Sequence, residues 1–241
     1  MSNHQVLNNI THKDLRIITE HNSELGDTAS YTNVLVSEFS QIQAHYPIFF
    51  RKNTETAKFE AIALFGFASE ENLFLDDNGW HARYVPLTIQ RRPFLIGFQT
   101  SHEPGEVVQH PVVHIDVDSP RVSQSKGEAI FLPQGGQSDY LQNMSAILNA
   151  INQGHQQTDD FINQLLSYDL IESVNIKVTL DDGSHHELAN LYTVNEERLD
   201  NLDAEVVSEL HAKGYLKLMH FMIASMSNLS DLIELKNNTL A

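Results

Sequence analysis

Two hydrophobic periodicities divide the chain. Between residues 46 and 132 the apolar positions come in short aromatic and β-branched runs separated by turn-forming residues. From residue 138 onward they mostly recur every three or four positions. The first pattern predicts strands and the second amphipathic helices. Strands are expected over residues 46–50, 59–67, 72–75, 80–85, 94–98, 110–118 and 129–132, after a short helix over 34–44 that turns Phe39 and Ile42 inward. Asp-Asp-Asn-Gly at 76–79 separates two apolar runs, and Asn-Gly accepts the positive φ that a tight hairpin turn demands. Leu73 and Leu75 are therefore expected on one side of a hairpin, with Trp80 and Tyr84 lined up on the paired strand. Strands this closely spaced predict a meandering, largely antiparallel sheet.

In the second half, Tyr140, Leu141, Met144, Ile147, Leu148 and Ile151 trace a helix expected to stop at Gly154. Thr158, followed by Asp159 and Asp160, is expected to cap a second helix carrying Phe161, Ile162, Leu165 and Leu166. Ile176, Val178 and Leu180 alternate before Asp181-Asp182-Gly183, which predicts a small inserted hairpin. Asp203 opens a further helix that Gly214 closes. One last helix is expected over 215–235, with a stripe of Tyr215, Leu218, Met222, Met226, Leu229 and Ile233 facing the core. The rival for that stripe is a homodimer seam, with Ser225, Ser227 and Asn228 letting a second helix approach closely. The expected fold class is α+β, an antiparallel β-sheet lobe (1–132) followed by a mainly helical lobe (133–241) with the hairpin inserted. Both lobes are expected to form a single compact unit.

Charge changes this picture in one respect. The chain of 241 residues carries 15 basic and 32 acidic residues, a formal net charge of −17. Residues 1–126 hold 10 basic and 15 acidic side chains, and the remainder 5 and 17. Such a balance repels a phosphate backbone, so no nucleic-acid partner is expected. The absence of cysteine excludes disulfides, thiolate zinc sites and a cysteine nucleophile. The first twelve residues contain neither Lys, Arg nor an apolar run, so no export signal is expected. The most apolar stretch, residues 218–226, is far shorter than the ~20 residues of a spanning helix, so no membrane insertion is expected. These features predict a cytoplasmic protein.

The aromatic blocks carry a resemblance. YPIFFRK (46–52), ENLFL (71–75), the Trp80–His81–Ala82–Arg83 run with YVP behind it, RPFLIGF (92–98), IDVDSPR (115–121), GYL (214–216) and SMSNLSDLI (225–233) resemble the SapC-like family of bacterial proteins. The blocks follow the family's order over about residues 12–236. The family is named after a surface-layer protein system and has no established activity. The resemblance implies an accessory role in a bacterial uptake or modification pathway.

Several constellations compete for chemistry. His114, Asp116 and Asp118 share one face of a strand, about 6.6 Å apart in steps of two. His114-x-Asp116 is the spacing that supplies one His and the carboxylate of a non-haem iron facial triad, with His155 or His185 to complete it. A solvated strand face leading into an Asp-Ser-Pro turn explains the same letters. His110 and His114 would stand about 13 Å apart on a strand, too far for one ion. Adjacent His185 and His186 face opposite ways. Trp80, Tyr84, Arg91 and Arg92 form the candidate ligand-binding set, because arginine forks suit carboxylates and phosphates and are scarce in so acidic a chain. The structural alternative is that the aromatics cover the core and the arginines pair locally. Gly135-Gly136 lacks the lysine of a phosphate loop, and no Gly-x-Ser-x-Gly elbow occurs.

The resulting expectation is a non-catalytic accessory protein that binds a protein partner or small-molecule ligand and uses no cofactor. The alternatives are an Fe(II)-type oxygenase using His114 and Asp116, and a surface-layer-associated protein.

Overall fold

The computed structural model of the chain describes residues 3–103 and 106–240. Its elements run β1 (His4–Val6), β2 (Arg16–Ile17), β3 (Tyr31–Asn33), α1 (Phe39–Ile42), β4 (Ile48–Lys52), β5 (Phe59–Leu64), β6 (Leu75–Asp76), β7 (Gly79–Trp80), α2 (Leu87–Gln90), β8 (Phe94–Glu103) and β9 (Glu106–Asp116). They continue with β10 (Val122–Ser123), β11 (Glu128–Ala129), α3 (Asp139–Ser167), β12 (Ile171–Thr179), β13 (His185–Val194), α4 (Glu196–Asp200), α5 (Ala204–Ala212), α6 (Tyr215–Ser225) and α7 (Asn228–Asn238). All strand pairings are antiparallel, and the fold class is α+β. The chain divides into two compact units, each from two separate stretches. One comprises residues 1–27 and 87–153, the other residues 28–86 and 154–241.

In the first unit, β9 is the centre of a sheet ordered β1-β9-β8. Phe94 and Ile115 stand opposite each other in the register and are both fully buried. The Phe94 ring packs 6.2 Å from that of Tyr140 in the first turn of α3. Ser138 opens that helix, its Oγ accepting from the Leu141 amide at 3.2 Å. A second small sheet, β10-β2-β11, is anchored by buried Ile17.

The second unit is built on a sheet ordered β12-β13-β4-β5-β3. Alternation sends Ile48, Phe50, Ala61 and Ala63 to one face. There Phe50 and Phe39 meet Phe161 of α3 at centroid distances of 6.2 and 6.1 Å, and Phe161 meets Tyr215 of α6 at 5.3 Å. Phe49, Arg51, Ile62, Leu64, Tyr31 and Leu191 belong to the opposite face by register.

Four local expectations are corrected. The helix does not stop at Gly154, nor does Thr158 cap a new one, because α3 runs unbroken for 29 residues. An interior glycine costs about 1 kcal/mol against alanine, which the burial of two flanking apolar stripes outweighs. Gly154 serves close packing instead, since a Cβ there would stand 2.7 Å from Leu35 Cδ1. Thr158 Oγ1 donates to the Gly154 carbonyl at 2.8 Å and accepts from the Val36 amide at 3.2 Å.

The hairpin after Leu170 is larger than expected, with strands of nine and ten residues. It joins the main sheet through Leu191↔Arg51 and Tyr192↔Phe50. At 76–79 the hairpin forms, with Gly79 at φ 111°, but its ladder holds two pairs only, Leu75↔Trp80 and Asp76↔Gly79. Tyr84 lies outside it. The chain leaves the ladder because the Tyr84 hydroxyl and carbonyl both bond elsewhere in the unit.

The last helix is two, α6 and α7, broken at Met226–Ser227. The Ser225 hydroxyl donates to the Met222 carbonyl at 2.6 Å and accepts from the Ile48 amide at 2.9 Å. Asn228 Nδ2 donates to the Gln43 carbonyl at 2.8 Å. Both small polar residues thus bind backbone of the same unit. Met219, Met222 and Leu232 are fully buried.

Candidate functional site

Trp80 and Tyr84 belong to the second unit, Arg91 and Arg92 to the first. In the second unit the polar ends of the two aromatics turn inward. Trp80 Nε1 donates to the Tyr46 hydroxyl at 2.7 Å, and that hydroxyl donates to the Tyr84 carbonyl at 2.6 Å. The Tyr84 hydroxyl donates to Glu38 Oε1 at 2.9 Å, while Glu38 Oε2 accepts from the Leu35 amide at 3.1 Å. Glu38 is 3% exposed and the Tyr46 ring is buried against Phe65 and Phe74. Burial raises the pKa of both phenols, and for Tyr84 the Glu38 carboxylate adds to the rise. This chain of bonds ties the 80–86 segment to the turn at 35–38. It explains both aromatics as structure, with their polar atoms turned away from solvent.

Arg91 and Arg92 follow α2 and sit beside a buried charge cluster that spacing alone does not reveal. The Asp27 side chain is fully buried. Its Oδ2 accepts from Arg121 Nη2 at 2.5 Å and faces His21 Nδ1 at 3.0 Å, and Oδ1 lies 3.7 Å from Arg92 Nη1. Burial alone would raise the Asp27 pKa, but the His21 hydrogen bond and the Arg121 charge bring it below the ordinary carboxylate range. Arg121 Nη1 also donates to the Ile18 and Glu20 carbonyls, and Arg92 Nη1 to that of Gly26. Two of the aromatic-block arginines therefore pin the 18–27 loop. Arg91 Nη1 donates to the Phe94 carbonyl at 2.7 Å. Burial lowers the pKa of Arg91 and Arg92, and for Arg92 the neighbouring Arg121 and Arg91 charges act in the same direction while Asp27 opposes them.

His114 and Asp116 lie on β9 of the first unit, both part-buried. Asp116 Oδ1 accepts from the Asn3 amide at 2.9 Å and the Asp118 amide at 3.3 Å, so the carboxylate caps a turn. The His114 ring covers Gly97, where a Cβ would collide with it. Among the described residues no group of three His, Asp or Glu could hold a metal ion. A facial triad needs three protein ligands, and these two residues supply two.

The residue that sequence reasoning passed over is Arg51. It stands on the second face of the five-stranded sheet, its guanidinium carbon 4.5 Å from the centroid of the Tyr31 ring. A cavity of about 360 Å³ opens there, lined by Ile62, Leu64, Leu188 and Leu191 with Ser30 and Ser69 among the polar groups. The available signal was an arginine alternating with Phe49 on a strand whose first three residues, Ile48, Phe49 and Phe50, are apolar.

Fold and sites together describe an α+β protein with buried polar networks in each unit and an open cavity on the face of the larger sheet. The chain belongs to the SapC family, whose model matches residues 7–232. No curated protein and no solved structure matches it. No helix among the described residues is long and apolar enough to cross a membrane.

Proposed function

We propose that the chain is a cytoplasmic, non-catalytic accessory protein of a bacterial uptake or modification pathway, holding a small doubly charged anion at the Arg91–Arg92 edge of its first unit. The charge balance at that edge supports the ligand part of the reading. Arg91 and Arg121 both lie within electrostatic reach of Arg92. Among the described residues Asp27 is the one carboxylate that forms a salt bridge with any of them. Two guanidiniums are thus left in excess, in a chain of net charge −17. Partly buried cations without a counter-charge are costly, and an anion with two or more acceptor oxygens offsets that cost through fork-like hydrogen bonds. The accessory role comes from membership of the family, and the place in the cell from the sequence reading.

Thermal unfolding in potassium phosphate and in succinate, against sodium chloride of equal ionic strength, tests the ligand. Phosphate or succinate should raise the melting temperature of the wild type beyond the chloride control and should not do so for Arg92→Gln. A wild type indifferent to both anions, or an unchanged response in the variant, removes this site.

A further inference from the structure

The cavity on the second unit's sheet has a different chemistry from the Arg91–Arg92 edge. Arg51 lies on β4, the middle strand of five, so its backbone is held on both sides, by Leu191 of β13 and Glu60 of β5. Its guanidinium makes no hydrogen bond or ion pair to any described residue, and its one side-chain contact of that kind is the stack on Tyr31. The nearest acid by register is Glu60, directly across the ladder, yet both Glu60 oxygens are engaged. Oε1 accepts from Asn53 Nδ2 at 2.9 Å and Oε2 from Asn33 Nδ2 at 3.1 Å. Glu187, on the cavity wall, accepts from Asn175 at 2.6 Å. The local acids are therefore turned to amides and the arginine fork is left open. Stacking on an aromatic ring fixes the plane of the fork in advance, which reduces the ordering cost of a bidentate contact.

The rest of the cavity selects the ligand. Ile62 and Leu64 are buried floor residues, and Leu188 and Leu191 close one side. About 360 Å³ falls within the range of small-molecule sites, whose walls are mostly apolar with a few placed polar groups. A single cation among apolar walls, with Glu60 across the ladder and Glu187 on the wall, suits one negative charge better than a phosphate dianion. We infer that this cavity is a binding site for a small monocarboxylic acid with an apolar body, its carboxylate held by Arg51 and its body laid over Ile62 and Leu64. The site stands apart from the Arg91–Arg92 reading and needs a different ligand charge.

Isothermal titration of the full chain with phenylacetate, and with neutral phenylacetamide as control, tests it. Phenylacetate should bind saturably and the amide at least tenfold more weakly. Arg51→Gln should weaken phenylacetate binding at least tenfold, and Tyr31→Leu, which keeps the charge but removes the stack, by a smaller factor. Arg51→Lys serves if the glutamine variant fails to fold, and it too should lose most of the affinity, because an ammonium cannot form the fork. Excess inorganic phosphate should leave the titration unchanged, which separates this site from the arginine edge of the first unit. No heat with phenylacetate, equal binding of the amide, full affinity in the Arg51 variants, or displacement by phosphate would each overturn the inference.

Discussion

Asp27 is the residue on which the first unit's charge cluster turns. Its side chain is fully buried, bonded to Arg121 and facing His21. Asparagine would keep the shape and remove the charge, leaving Arg121, itself 3% exposed, without its counter-ion. Breaking a buried pair in this way typically costs about 3–5 kcal/mol, so Asp27→Asn should lose stability on that order in urea unfolding at neutral pH. The pH dependence has a definite sign. The carboxyl pKa is lower in the fold than the ~3.9 of an unfolded aspartate. Its stabilisation is therefore complete above the unfolded value and disappears as the pH falls through the lower folded value. The difference in unfolding free energy between wild type and variant should shrink over that acid window and stay flat from pH 5 upward. A difference constant down to pH 2 would show that the carboxylate charge is not what matters. None of this was legible in the sequence, because Asp27, Arg92 and Arg121 lie far apart in the chain and share no spacing. Arg92 was singled out for its scarcity, and what it does with Gly26 and Asp27 depends on a long-range contact.

The break between α6 and α7 replaces the single helix that the apolar stripe predicts. Periodicity continues through Met226 and Leu229, so pattern alone reads straight across. The interruption comes from Ser225 and Asn228, which bind the Ile48 amide and the Gln43 carbonyl. Ser225→Ala leaves the buried Ile48 amide without an acceptor, a loss of about 1–3 kcal/mol. Ser227, which is exposed and whose hydroxyl donates to the Ala224 carbonyl within its own turn, should tolerate alanine with little change. Met222→Ala empties a fully buried site and should cost about 2–5 kcal/mol. Chemical denaturation of the three variants checks the ranking, and a Met222 variant as stable as wild type would contradict the core placement of α6. The buried line of α6 and α7 runs through Met219, Met222, Ser225, Asn228 and Leu232, so of the predicted stripe Met222 alone is buried; its placement was legible from spacing. The fate of Gly154 was not, since a glycine that ends a helix and one that admits a neighbouring leucine look alike in one dimension.

The two units are not consecutive halves of the chain, which passes between them after residues 27, 86 and 153, the last time inside α3. Unfolding either unit unravels part of that shared helix, so calorimetry should record one transition with calorimetric and van't Hoff enthalpies in agreement. Two resolved transitions would show that the units melt independently. For the same reason a fragment of residues 1–132 should fail to fold, since it keeps β3, β4 and β5 but lacks β13 and Phe161.

The α+β class, the strands β4, β5, β8 and β9, the inward Phe39 and Ile42 and the buried Met222 were readable from periodicity, because burial on one face imposes its own repeat on neighbouring residues. The strand expected over 80–85 was not, since it ends at Trp80. The family was readable from the order of the aromatic blocks, which the match over residues 7–232 bears out. The roles of Trp80, Tyr84 and Arg92, the pairing of the 171–194 hairpin with β4 and the open fork of Arg51 were not readable. Each depends on a partner that folding brings from a distant part of the chain, such as Glu38, Asp27 or Tyr31. Local sequence sets which face a side chain takes. What that face meets is a property of the folded chain.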